Sequence, residues 1–192
     1  IEKVDKQVEI KNSVLNGFNN GKISWKIHSD YIYSTKSKYL FKAKEINAGY
    51  IYDNKGQLVI DNISGKDIHI NTKSNTVSIH DGVFARLRNR TEPSSNGLLA
   101  DDSIDIKNWV HITSDELRYF SESKRTYLYE NVKIIQNNAT VMPNEGVEID
   151  NNENIAYIDT GFKMESDEFE VSGNQMTIYI DEDYSHMFGN LI

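Results

Sequence analysis

An all-β fold is predicted for this 192-residue chain by three observations. Apolar and polar residues alternate at period two through most of its length, the pattern of a pleated strand with one buried face. The alternating positions hold Tyr, Ile, Val, Phe and Thr, the types that suit such a surface, and only two prolines interrupt them. A short phrase also recurs, irregularly, about every 20 to 30 residues: a polar turn, an alternating run, a second turn and a second run. Together these predict a dozen or more strands in stacked hairpins, rolled into a twisted antiparallel jelly-roll.

Residues 1–20 are polar and end in Asn-Gly punctuation, which predicts a tether or a short helix. The strands are expected from Gly21 onward. Ile23, Trp25 and Ile27 point to one side there, and Ser24, Lys26 and His28 to the other. Ser29-Asp30-Tyr31 leads to Tyr39-Leu40-Phe41, and Ser64-Gly65 opens Ile68, Ile70, Val77 and Ile79. Hairpin turns are signalled at Asp53-Asn54-Lys55-Gly56, at Lys73-Ser74-Asn75 and across residues 150–154. Pro93, Ser94, Ser95, Asn96 and Gly97 make a long loop of residues 88–103. The alternation resumes at Ile104 and Ile106 and continues to Ile180, so one domain is expected over residues 21–192.

The net charge of −8 is unevenly distributed: residues 1–90 carry +6 and residues 91–192 carry −14. The overall sign disfavours nucleic acid, and the basic residues are scattered apart from Arg86, Arg88 and Arg90. No cysteine is present, which removes disulfides and thiol chemistry and leaves the compartment open. No apolar run approaches the ~20 residues of a spanning helix. A signal or an anchor would have to precede Ile1.

Catalytic constellations are absent from the pattern. His28, His69, His80, His111 and His186 lack metal-ligand spacing, and no nucleophile elbow, zinc-protease helix or phosphate loop occurs. Asp150 to Asn154 and Asp181-Glu182-Asp183 lack the spacing of a calcium loop. Neither an enzyme nor a cofactor or metal is expected.

The repeated phrase resembles the OstA-like β-jelly-roll family of lipopolysaccharide export, which includes LptC and LptA. It is carried by Ser114-Asp115-Glu116-Leu117-Arg118-Tyr119, then Tyr127-Leu128-Tyr129-Glu130-Asn131-Val132-Lys133-Ile134. Val147-Glu148-Ile149-Asp150 and Ser172-Gly173-Asn174-Gln175-Met176 extend it. Gly21-Lys22-Ile23-Ser24-Trp25-Lys26-Ile27 is closer to LptC than to LptA. The resemblance implies a roll open at both ends, with an apolar trough for the acyl chains of lipopolysaccharide or a related glycolipid. Its implied lining is Trp25, Ile27, Phe41, Ile68, Ile70, Ile79, Leu117, Tyr119, Val132, Ile149, Phe169, Met176 and Ile178.

Two unpaired strand edges are implied as partner sites. Ile23, Trp25 and Ile27 would face the LptB, LptF and LptG complex. Gln175, Met176, Thr177, Ile178, Tyr179 and Ile180 would receive an LptA-like protein by β-strand addition. The implied location is the periplasm of a diderm bacterium, with an inner-membrane anchor formed by an N-terminal helix ahead of Ile1. A soluble LptA-like bridge unit and a β-rich surface or adhesion protein are the alternatives.

Overall fold

A computed structural model describes residues 8–34, 36–90, 110–136 and 138–189, and every regular element in them is a strand. Six long strands come first: β1 (Val8–Asn19), β2 (Lys22–Ser34), β3 (Leu40–Tyr52), β4 (Leu58–Asn71), β5 (Thr76–Leu87) and β6 (Val110–Phe120). Nine short ones follow: β7 (Arg125–Tyr129), β8 (Lys133–Gln136), β9 (Ala139–Pro143), β10 (Gly146–Asp150) and β11 (Ile155–Ile158), then β12 (Phe162–Glu165), β13 (Glu170–Gly173), β14 (Gln175–Tyr179) and β15 (Tyr184–Phe188). All the pairings are antiparallel, and β1 to β7 are neighbours in chain order.

The three hairpin turns signalled at residues 53–56, 73–75 and 150–154 fall where expected. At the β3–β4 turn, Asp53 Oδ1 accepts from the backbone N–H groups of Lys55 and Gln57, each at 2.8 Å. Asp150 Oδ1 does the same for Asn152 and Glu153 between β10 and β11. The tether or short helix expected over residues 1–20 is corrected: Val8–Asn19 is an edge strand paired along β2. Its polar residues misled because an edge strand at the surface need not bury a regular face; only Gly17 in β1 is buried. A Cβ on Gly17 would stand 1.9 Å from the Trp25 indole nitrogen, so β1 can lie over that ring only with glycine there. The loop expected at 88–103 lies, past Arg90, outside the described residues.

A line of kinks folds the long strands into two layers. Asn12 in β1, Glu45 in β3, Asn62 in β4 and Asp81 in β5 have φ between 49° and 61°, the left-handed region. Asn and Asp enter it at lower cost than other non-glycine residues, and Gly82 beside Asp81 enters it freely. Register slips at the same level between His28 and Ser29, between Ser64 and Asp67, and between His80 and Val83. Bulges of this kind bend a strand. The sheet forks at β6: residues 111–113 pair with β8, while residues 116–120 pair with β7. One layer continues through β8, β9, β12 and β13, the other through β7, β10, β11, β14 and β15. Their inward alternates, among them Ile60, Leu87, Ile112 and Ile134 on one layer and Ile68, Ile70, Ile149 and Ile178 on the other, form one apolar cluster.

Candidate functional site between the layers

Eleven of the thirteen implied lining residues meet in that cluster: Trp25, Ile27, Ile68, Ile70, Ile79, Leu117, Tyr119, Val132, Ile149, Met176 and Ile178 are all buried. They fill most of the space between the layers. A small apolar void remains between Trp25, Ile27, Ile51 and Ile63 of one layer and Val77, Ile79, Leu117 and Tyr119 of the other. Phe41 is half-buried and packs against the cluster from its side. Phe169 is corrected as a buried lining residue. It is 44% exposed, because residues 166–169 form the turn between β12 and β13 rather than a strand.

At the C-terminal end the layers stand apart. A mouth of about 450 Å³ opens between Ile134, Val141 and Met164 on one lip and Met176, Ile178 and Ser185 on the other, with Phe169 at its rim. A second, wider cleft of about 920 Å³ lies on the outer face. It is lined by Tyr127, Tyr129, Tyr157 and Met142 together with Glu116, Glu145 and Glu148.

Opposite the kinks, a row of polar contacts joins the free lips of the two layers. Asn19 Nδ2 donates to the Ser121 carbonyl at 2.7 Å, and the Trp25 indole N–H to Asn75 Oδ1 at 3.0 Å. Ser24 Oγ lies 2.7 Å from the Tyr119 hydroxyl and accepts from Lys124 Nζ at 2.7 Å. Lys124 Nζ also donates to the Tyr52 carbonyl at 3.1 Å. Farther along, Arg90 donates to Asp53 at 2.9 Å and to Asp181 at 2.8 Å, and Asn154 Nδ2 donates to Asp181 at 2.6 Å. Gln136 to Asp183 ends the row beside the mouth.

Burial sets the direction at two groups of this seam and is outweighed at a third. Burial pushes the Tyr119 hydroxyl up to about 12, against the opposing hydrogen bonds of Ser24 and Ser121. It lowers the Lys124 ammonium, which the charge of Asp53 offsets in part. Burial alone would raise Asp181, but the Arg90 side chain and backbone and the Asn154 amide outweigh it and hold the carboxyl down.

Two further expectations are corrected by the pairings. Ile23, Trp25 and Ile27 are not at an edge, because β1 covers β2. Gln175, Met176, Thr177, Ile178 and Tyr179 lie between β11 and β15, and Ile180 is in the turn after them. The hairpin return that forms β15 was hidden by its unlike faces: Tyr184, His186 and Phe188 stack outward and Met187 packs inward. Among the described residues, β1, β13 and β15 are the edges. The Arg86 and Arg90 guanidiniums of the basic cluster are held by carboxylates: Arg86 meets Asp61 at 2.8 Å, and Arg90 joins Asp53 and Asp181. The described residues contain no group of three or more His, Asp or Glu side chains able to hold a metal. Asp150 and Asp181 are instead occupied in turn capping and in the seam.

A family described as lipopolysaccharide-assembly, LptC-related matches residues 50–190. The chain belongs to that family. Lipopolysaccharide assembly is therefore the setting of this LptC-related chain, and the antiparallel roll is its framework. Among solved structures, LptH of Pseudomonas aeruginosa is described as the LptA homologous periplasmic component of the conserved lipopolysaccharide transport device. It is similar over 78% of this chain and 78% of that one, at 11% identity and a TM-score of 0.38, too slight a likeness to argue from. No curated protein matches the chain.

Proposed function

We propose that this LptC-related protein carries lipopolysaccharide with its acyl chains between the two layers and its glycan outside. The observation that carries the reading is the continuous apolar interior with one end open, the mouth between Val141, Met164, Met176 and Ile178. Apolar burial favours an acyl chain by ~0.8 kcal/mol per methylene, on the order of 10 kcal/mol for a chain of about 14 carbons before entropy is set against it. The next carrier would shelter the chain comparably, so carriage stays reversible.

The edges support a direction. β1, with Val8, Ile10, Val14 and Phe18 exposed, is the receiving edge toward the ATP-driven extractor built from LptB, LptF and LptG. β15, next to the mouth, is the delivering edge for an LptA-like protein, whose strand would extend the sheet and continue the trough. An N-terminal helix ahead of Ile1 would anchor the chain to the inner membrane.

The test places carboxylates at the mouth without touching the core. Phe169→Asp and Ser185→Glu together are expected to reduce binding of lipopolysaccharide by at least about tenfold, since a buried, unpaired carboxylate opposes a bound chain. The melting temperature should be little changed. Full binding by a folded double variant counts against the trough.

A further inference from the structure

Lys124 is an unusual lysine for this fold. It is 2% exposed, it is the last residue of the turn between β6 and β7, and its backbone is left-handed at φ 56°. Lysine is almost never fully buried unless paired. Yet among the described residues no carboxylate oxygen lies within ion-pair distance of its ammonium, whose partners are the neutral Ser24 hydroxyl and Tyr52 carbonyl. The other cation of the seam, the half-buried Arg90, has two carboxylates. Asn151 Nδ2 donates to the Lys124 carbonyl at 2.9 Å, so the backbone of the turn is held independently of the ammonium.

The position of the ammonium is more informative. Ser24 Oγ, which accepts from it, touches the Tyr119 hydroxyl, and Tyr119 and the neighbouring Trp25 line the apolar void. The charge is therefore linked to the lining of the void through the Ser24 hydroxyl and the Tyr119 side chain, at the lip where the layers meet through side-chain and carbonyl contacts rather than a strand ladder. An amphiphile entering sideways through that lip would leave its headgroup at this level. We propose that Lys124 is the headgroup site of the trough, an ammonium held for the anionic group of an amphiphile whose chain enters when the seam parts.

This rests on the trough reading and names the ligand chemistry of the same site: an oxyanion, carboxylate or phosphate, on a long alkyl chain. The seam supplies further donors to such a group once parted, the Ser24, Ser121 and Tyr119 hydroxyls and the Trp25 indole N–H. Phosphate and carboxylate bind ammonium donors by the same charge-assisted hydrogen bonds.

The experiment measures affinities of the full chain for tetradecanoate, tetradecyl phosphate and the uncharged tetradecyl maltoside, with wild type beside Lys124→Met and Lys124→Gln. Wild type is expected to favour at least one anionic probe over the maltoside by about tenfold. Both variants should erase that preference and keep the maltoside affinity within about twofold, with cooperative melting showing that they fold. A preference for the phosphate alone assigns a phosphate site, and one for both anions a general oxyanion site. Equal losses for all three probes, or an undiminished preference in either folded variant, overturns the assignment while leaving the trough standing. Failure of wild type to bind any of the three removes both.

Discussion

Ser24, Tyr119, Ser121 and Lys124 concentrate polar atoms in the seam of a molecule whose buried apolar interior is mostly Ile, Val and Leu. Period two places Ser24 on the solvent face of β2, with Lys26 and His28. In the structure it is fully buried, because β2 begins at the lip, where the opposite layer closes over it. Nothing local in the sequence marks a polar residue that another layer will cover. The inward residues Ile68, Ile70, Ile149 and Ile178 were legible because an apolar side chain between polar neighbours has one stable destination. Lys124 has a measurable signature. Its value is lowered by burial from the 10.5 of the unfolded chain. Between the lowered value and 10.5 the unfolded chain binds the extra proton, so stability rises with pH across that window. Denaturant unfolding at a series of pH values from neutral to about pH 10 should show wild type gaining on Lys124→Met. Parallel profiles would place the ammonium in water.

The same limit of legibility holds for the strands. Hairpin turns were readable because Asp53-Asn54-Lys55-Gly56 and Asp150 to Asn154 satisfy turn geometry with their own side chains. The Ser-Asp and Ser-Gly pairs of the recurring phrase promised turns as well, but Ser29-Asp30, Ser64-Gly65 and Ser114-Asp115 lie within β2, β4 and β6. They are corners. Asn47 donates to Asp30 and Asn131 to Asp115, each at 2.6 Å, fixing two of them. A polar break in an alternating run reads alike whether the chain reverses or only bends, since only the pairing partner distinguishes them. The edge strands were misread for a related reason: β1 and β15 have no second neighbour to impose a pattern. Asn62, exposed on β4 at φ 51°, tests the kink line. Asn62→Ile should cost about 1–2 kcal/mol through its backbone alone, and Asn62→Gly less than about 1 kcal/mol, by denaturant unfolding. Equal costs would mean that the left-handed corner is not what bends the strand.

Across the whole molecule, the kinks close the back of the roll, the seam closes its front, and the C-terminal mouth is left open. A closed strand ladder along the front would make the interior inaccessible. Side-chain contacts between lips can be exchanged for water as the layers part, so under the proposed carriage the same interior would serve as a core when empty and as a trough when filled. The chain's four methionines are placed to test this directly. Met176 is buried in the trough, Met164 and Met187 pack at its side, and Met142 lines the outer cleft. The protein is made with a photoreactive methionine analogue, given lipopolysaccharide, irradiated and mapped by mass spectrometry. Acyl adducts on Met176 and Met164 with Met142 unlabelled are the predicted result; adducts confined to Met142, or none on Met176, would contradict carriage between the layers.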